Sequence, residues 1–281
     1  MPEHLKCKTD LKTMGLKPGV FVKAKVWNSY IWVELYDIHE AVPKRKPTEK
    51  QLAALEKARQ KQKELDICPI CKEDVGRKNL ILNSGGILAC EWCHHVEQMK
   101  VKKKRGEEVF RRWFDEDFVI LDTETTGLDG AEIVEIAIID RMGHVLFDSL
   151  VKPNYPIPDE VMEIHGITND RVAIAPTGDR IWEDIQSILQ DRKILIYNDE
   201  LDVQMISNSC HHYQIQPIHL NTECVMRTYA NYIGSDRWLK LSDAADRWTS
   251  HRALEDCFAT LKVITNVWIE MGLMNELKET S

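Results

Sequence analysis

Apolar and polar positions follow several different rhythms along this 281-residue chain. Between Val20 and Tyr36 they suit extended backbone. Val20, Val22, Ala24 and Val26 alternate with Phe21, Lys23, Lys25 and Trp27, Asn28-Ser29 offers a turn, and strand-forming residues resume from Tyr30 to Tyr36. Two such stretches around a turn dipeptide predict a β-hairpin. Its aromatics would ordinarily be the packed face of a small sheet; together with the lysines they could instead stack bases and contact phosphate. Residues 43–47, PKRKP, form a basic linker flanked by breakers. Thr48 and Gln51 then have capping-box spacing, which predicts a helix running to about Leu65. Its apolar side holds little beyond Leu52, Leu55 and a few alanines, which marks a solvated connector. A second charged helix is expected over 97–112, with the basic run KVKKKRG at 100–106. From Phe118 the order becomes strand, strand, strand, helix, strand, helix. It opens on the apolar run FVIL, which ends at Asp122, and continues with the buried-strand run Ile-Val-Glu-Ile-Ala-Ile after Glu132.

Composition fits a globular chain of two domains or one large one, with 43% hydrophobic and 29% charged residues. The sequence holds no apolar run of about 18 residues, the length a membrane helix needs. The first residues, MPEHLKCKTD, lack the apolar segment of a secretory signal. A cytoplasmic location and no membrane partner are therefore expected. Charge is uneven. Residues 1–112 carry 24 lysines and arginines against 15 acidic residues, whereas residues 113–281 carry 13 against 30. A basic front half on an acidic back half suits an enzyme that acts on a polyanion, because lysine and arginine release counterions from phosphates. Solvated faces are the plain alternative.

Four of the eight cysteines fall in two pairs, Cys68-Pro-Ile-Cys71 and Cys90-Glu-Trp-Cys93, with 18 residues between them. Each CxxC places two thiolates on one tight turn, and two such turns close a tetrahedral Zn²⁺ site. Asn83-Ser84-Gly85-Gly86 supplies a hairpin turn between them, as in a zinc ribbon. His94 and His95 could substitute as ligands, but four thiolates leave no vacancy, so the ion is expected to be structural. The ribbon could grip nucleic acid or dock a protein. Cys7, Cys210, Cys224 and Cys257 are read as structural or incidental.

Alternation puts Asp122 and Glu124 on one face of a strand, where two carboxylates repel unless a cation lies between them. Hard oxygen ligands suit Mg²⁺ or Mn²⁺. The segment DTETTGL at 122–128 is followed by HGIT at 165–168, by Asn198 with Leu201-Asp202, and by HRALED at 251–256. On these motifs residues 115–270 resemble the DEDDh 3′→5′ exonucleases, the group of the bacterial polymerase epsilon subunit, ribonuclease T and oligoribonuclease. Leu201 stands where the family usually has an aromatic residue; the five catalytic positions are filled.

The resemblance implies a ribonuclease-H-like α/β fold, a mixed five-stranded sheet with flanking helices. It implies that a terminal phosphodiester is hydrolysed from a 3′ end, releasing nucleoside 5′-monophosphates. Asp122, Glu124, Asp202 and Asp256 would hold two Mg²⁺ or Mn²⁺ ions, about 3.5–4 Å apart in such sites. Asp122 would bridge them, Glu124 and Asp256 would serve the nucleophile side and Asp202 the leaving-group side. His251, placed on the loop before the helix that bears Asp256, would be the general base. Thr125, Thr126, Gly127, Leu128, His165 and Ile167 would contact the terminal nucleotide. The domains expected are a hairpin-containing segment at 1–42, a connector helix, zinc ribbon and basic helix at 43–112, and the exonuclease domain at 113–281. The partner expected is a nucleic acid with a free 3′ end, DNA ahead of RNA, with a DNA polymerase or replisome component as a further one. The alternative is a zinc-ribbon nucleic-acid-binding or polymerase-associated adaptor.

Overall fold

The computed structural model describes residues 2–83, 85–128, 130–217, 219–247 and 250–274. Contacts divide the chain into two compact units, residues 1–91 and 92–281.

The first unit starts with β1 (Leu5–Cys7) and α1 (Lys8–Thr13), then β2 (Leu16–Lys17), β3 (Ala24–Trp27), β4 (Trp32–Asp37) and β5 (Val42–Pro43). β1, β4 and β3 form an antiparallel sheet in that order, and β2 pairs with β5. Leu5, Leu11, Leu35 and Tyr36 are buried around this sheet. The expected hairpin is present but shorter, because extended pairing begins at Ala24 rather than Val20. β4 gives way to a 3₁₀ turn at Ile38–Glu40, so no strand continues opposite residues 20 and 21. The turn is built by Asn28, whose side chain accepts the N–H groups of Tyr30 and Ile31. A second difference concerns packing. Val20, Phe21, Trp27, Tyr30, Ile31 and Trp32 are exposed rather than packed, since alternation says which residues share a face and not whether anything covers it.

Helix α2 (Glu49–Asp66) begins where expected. Thr48 Oγ1 accepts the Gln51 N–H and the Gln51 side chain accepts the Thr48 N–H. No α2 residue is buried, in keeping with a solvated connector. β6 (Leu80–Leu82) and β7 (Leu88–Cys90) form the hairpin between the cysteine pairs. Its turn is held by Asn83, whose side chain accepts the N–H groups of Gly85 and Ile87; Ser84 lies outside the described residues.

Helix α3 (Glu91–Asp115) is longer at both ends than the helix expected over 97–112. Phe110 and Trp113 are fully buried, and Trp113 Nε1 donates to Glu223, which fixes the last turns. Gly106 is the close-approach point. A Cβ there would lie 2.5 Å from the backbone nitrogen of Tyr232. There follow β8 (Val119–Thr125), β9 (Ile133–Asp140), β10 (Val145–Leu150), α4 (Asp159–His165), α5 (Asn169–Ala173), α6 (Gly178–Leu189), β11 (Lys193–Ile196), α7 (Asp199–His212), β12 (Asn221–Cys224), α8 (Val225–Tyr232), α9 (Leu241–Ala244) and α10 (Ala253–Glu270). The sheet order is β10-β9-β8-β11-β12, antiparallel over the first three strands and parallel over the rest. This is the expected mixed five-stranded sheet. β8 is its centre, with Phe118 and Ile120 on one face and Val119 and Leu121 on the other, all fully buried. The first face packs with Cys257, Val263, Ile264 and Val267 of α10. The second packs with Ile181 and Ile185 of α6 and Met205 and Ile206 of α7. No described helix is long and apolar enough to cross a membrane.

Candidate active site

The two faces of β8 explain how the carboxylates meet. Asp122 and Glu124 continue the face that carries Phe118 and Ile120, toward α10. Asp256 lies in the first turn of α10, beside Cys257, whose Sγ meets Ile120 and Ala137 oxygens at 3.8 and 3.5 Å. Thr123 points the other way, toward α7, and its Oγ1 donates to Asp202 Oδ1 at 2.7 Å. Asp202 sits in the first turn of α7, just past the carboxyl end of β11. His251 occupies the segment ahead of α10, as expected, with a left-handed φ of 52°. That conformation is uncommon for a non-glycine residue and recurs at functional sites. Leu201, in the position of the family's aromatic residue, packs against the α6–α7 core.

Ligand atoms of Glu124, His251 and Asp256 all lie within 4.8 Å of one another. The remaining two carboxylates belong to the same electrostatic group. Burial holds Asp122 well above the ordinary carboxylate range, reinforced by Asp202, Asp256 and Glu124. Burial likewise lifts Glu124 to about 8, with Asp256 and Glu135 adding to it. Asp202 rises to about 7 through burial, against the hydrogen bond from Thr123. Asp256 rises to about 6, again mainly through burial and against the pull of His251. Asp256 Oδ1 is buried without a hydrogen-bond partner among the described residues. Crowded oxygens that raise one another's proton affinity, one of them unpartnered, fit a divalent cation better than they fit each other.

Glu135 and Arg252 hold this group together, and sequence reading passed over both. Glu135 interrupts the apolar strand β9 directly opposite Glu124 and is buried. Arg252 Nε donates to both its oxygens, at 3.0 and 3.1 Å, Arg252 Nη2 donates to Oε1, and the Ala253 N–H donates to Oε2 at 3.0 Å. One carboxylate therefore caps α10 and ties the residues between His251 and Asp256 to the sheet. The signal available was a lone carboxylate in an otherwise apolar run, which burial requires to be paired.

The motif residues around the carboxylates differ in what they offer. Thr125 Oγ1 donates to Gly127 O at 2.6 Å, and Gly127 has a φ of 151°, open to glycine. The Thr126 N–H donates to Glu132 O, and Thr126 Oγ1 accepts the Glu132 N–H. The Glu132 side chain in turn accepts both Asn154 nitrogens and the Tyr155 N–H. Leu128 projects into solvent. His165 ends α4 and is buried; its Nε2 lies 3.3 Å from Thr125 O and its Nδ1 accepts the Ile167 N–H. Burial pulls its basicity down. Ile167 is fully buried in a small core with Val134, Ile157 and Val172.

The sulfurs of Cys68, Cys71, Cys90 and Cys93 also lie within 4.8 Å of one another. The Cys90 N–H donates to Cys68 Sγ at 3.4 Å, which brings that thiol down to about 6 against the effect of burial. Four convergent sulfurs with a thiolate-favouring amide fit tetrahedral zinc. His94 and His95 are outside the group: His94 Nε2 meets Gln98 and His95 meets Asp236. Cys210, Cys224 and Cys257 are buried within the second unit, and Cys7 caps α1.

The segment that carries these residues is similar to known exonucleases. Residues 119–264 match the model of the RNase_T family, described as an exonuclease. The chain is 38% identical over 173 residues to the uncharacterized exonuclease CP81 of Escherichia phage 186, covering 55% of this chain and 89% of that one. It is 24% identical over 173 residues to the DNA polymerase III subunit epsilon of Aquifex aeolicus, covering 57% and 86%. Among solved structures it is similar to the nuclease domain of 3′hExo, a DEDDh family member bound to rAMP, with 17% identity, coverage of 56% and 92%, and a TM-score of 0.47. With an exonuclease match across the segment that carries all five acid and histidine positions, the chain belongs to the RNase_T exonuclease family.

Proposed function

We propose that the protein is a divalent-metal-dependent 3′→5′ exonuclease that removes nucleoside 5′-monophosphates from the end of a nucleic acid strand. The observation that carries this reading is the gathering of Glu124, His251 and Asp256 within 4.8 Å of one another, with Asp122 and Asp202 in the same electrostatic group and a buried Asp256 oxygen left without a partner among the described residues. Mg²⁺ or Mn²⁺ held by the four carboxylates supplies the Lewis acidity that phosphodiester hydrolysis needs. His251, exposed beside Glu124 and Asp256, takes the proton of the attacking water. The Thr125–Leu128 segment, braced by Glu132 and His165, receives the terminal nucleotide. The four cysteines hold zinc as a structural centre that organises the β6–β7 hairpin. Similarity to a DNA polymerase subunit favours DNA ahead of RNA, and a polymerase as a partner.

The test is degradation of matched single- and double-stranded DNA and RNA labelled at the 5′ end, with Mg²⁺ and with EDTA. A ladder shortening from the 3′ end, abolished in Asp122→Ala while that variant stays folded, is the expected result. Near-normal turnover by Asp122→Ala would sink the assignment.

A further inference from the structure

The hairpin of the first unit presents a surface that the proposed chemistry does not use. In antiparallel register Trp27 faces Trp32, Lys25 faces Glu34, and Lys6 faces Tyr36. Directly opposed residues share a face, so these six side chains lie on one side of the three-stranded sheet. The other side carries Leu35, which is buried in the unit's core. Tyr36 is buried at one end of that side, whereas at the hairpin end Trp27 and Trp32 are 52% and 64% exposed. Their ring centroids lie 5.6 Å apart with planes at 57°, so each ring leaves a face open. The hairpin tip adds Tyr30, which is 85% exposed.

Charge on this face is one-sided. Lys8 pairs with Glu34 at 2.8 Å and lies over the Tyr36 ring at 5.3 Å, which neutralises the face's carboxylate. Lys6 and Lys25 have no ion pair among the described residues. Two open indole rings, with Lys25 one same-face rung away and Lys6 two rungs away, complement a polyanion with exposed π-faces. That describes single-stranded nucleic acid. A duplex keeps its base faces stacked inside, whereas a single strand presents a ring and a phosphate at every nucleotide, matching indoles and ammonium groups on one face.

We infer that the Trp27–Trp32 face binds single-stranded nucleic acid, with bases stacking on the two indoles and neighbouring phosphates meeting Lys6 and Lys25. The inference rests on the reading of this chain as an enzyme of nucleic acids and adds a strand-holding site outside its family-related part. Stacking on aromatic platforms is tolerant of base identity, so the site would hold a strand without selecting its sequence.

The test uses the full chain and a fluorescent single strand of about 20 nucleotides, longer than one such site covers, without added Mg²⁺. Trp27→Ala/Trp32→Ala is expected to weaken binding by roughly thirtyfold or more, as the loss of two stacked bases implies. Trp27→Phe/Trp32→Phe should retain most of it. Lys6→Ala/Lys25→Ala should reduce the salt slope of binding by about 1.4. Circular dichroism and zinc content check that the variants fold. Hydrolysis of the p-nitrophenyl ester of thymidine 5′-monophosphate, which has no strand to hold, should be unchanged in all three. An unchanged strand affinity in the folded alanine pair overturns the inference and assigns the face to a protein partner. If the unaltered chain hydrolyses no ester or strand yet the alanine pair still loses binding, the strand site stands and the nuclease reading falls.

Discussion

Replacing Glu135 by glutamine keeps the shape of the side chain and removes its charge. Arg252 and the Ala253 N–H would then face a neutral amide, at a position where the carboxylate is 3% exposed. Breaking a fully buried ion pair costs about 3–5 kcal/mol. The Arg252 side chain keeps 32% of its surface in solvent, which reduces the expected loss to about 2 kcal/mol. For a chain of this size that corresponds to a fall of roughly 4–8 °C in melting temperature. The larger effect should be on rate. Glu135 fixes the start of α10, and a shift of about 1 Å in reacting groups can cost a hundredfold. We expect kcat on a labelled oligonucleotide to fall between about tenfold and a hundredfold with KM nearly unchanged. Glu135 also raises the proton affinity of Glu124 and Asp256, so the acid limb of the pH–rate profile should move to lower pH in the variant. A purely structural role would leave that limb in place. A folded Glu135→Gln variant with unaltered kcat and an unaltered acid limb refutes the argument.

Other predictions concern metals and packing. Burial, with repulsion from neighbouring carboxylates, raises Glu124 to about 8, Asp202 to about 7 and Asp256 to about 6. The folded metal-free chain therefore holds protons that the unfolded chain releases near pH 4, and its stability should fall as pH rises from about 4 to 8. Mg²⁺ should restore it, with a larger rise in melting temperature at pH 8 than at pH 5.5; equal shifts at both would count against the carboxylate cluster as the binding site. Cys68→Ser should lower bound zinc below about 0.5 equivalents and loosen the β6–β7 hairpin, measured by metal analysis and hydrogen exchange. Gly106→Ala puts a methyl group 2.5 Å from the Tyr232 backbone and should destabilise by about 1–3 kcal/mol in denaturant titration, despite alanine's better helix propensity.

Local features of this protein were the legible ones. The Thr48 cap, the cysteine spacing and the shared face of Asp122 and Glu124 depend on residues a few positions apart, where backbone periodicity decides the outcome. His251 on its loop followed from a five-residue gap to Asp256 that a helix does not bring onto one stripe. What escaped depends on long-range pairing. Glu135 and Arg252 are 117 positions apart, and Thr123 reaches Asp202 across 79. No pattern within either segment specifies the other. The exposure of the hairpin aromatics escaped for a related reason: strand alternation sorts residues into faces, and only the third dimension decides which face is covered. The C-terminal extension of α3 follows from the burial of Trp113, which the charged middle of the helix does not announce.

The division of the acid groups between the two faces of β8 has a consequence for how the protein comes into being. Asp202 arrives with α7 on one side, whereas Asp256 arrives with α10 on the other. Of the elements that carry these groups, α10 is the last to be synthesised. One face of the sheet, with Phe118, Ile120, Ala137 and Ile139, is covered by α10, so the central strands and the acid group are completed by the same docking event. The packing that stabilises the fold and the geometry that assembles the carboxylates therefore depend on one and the same helix.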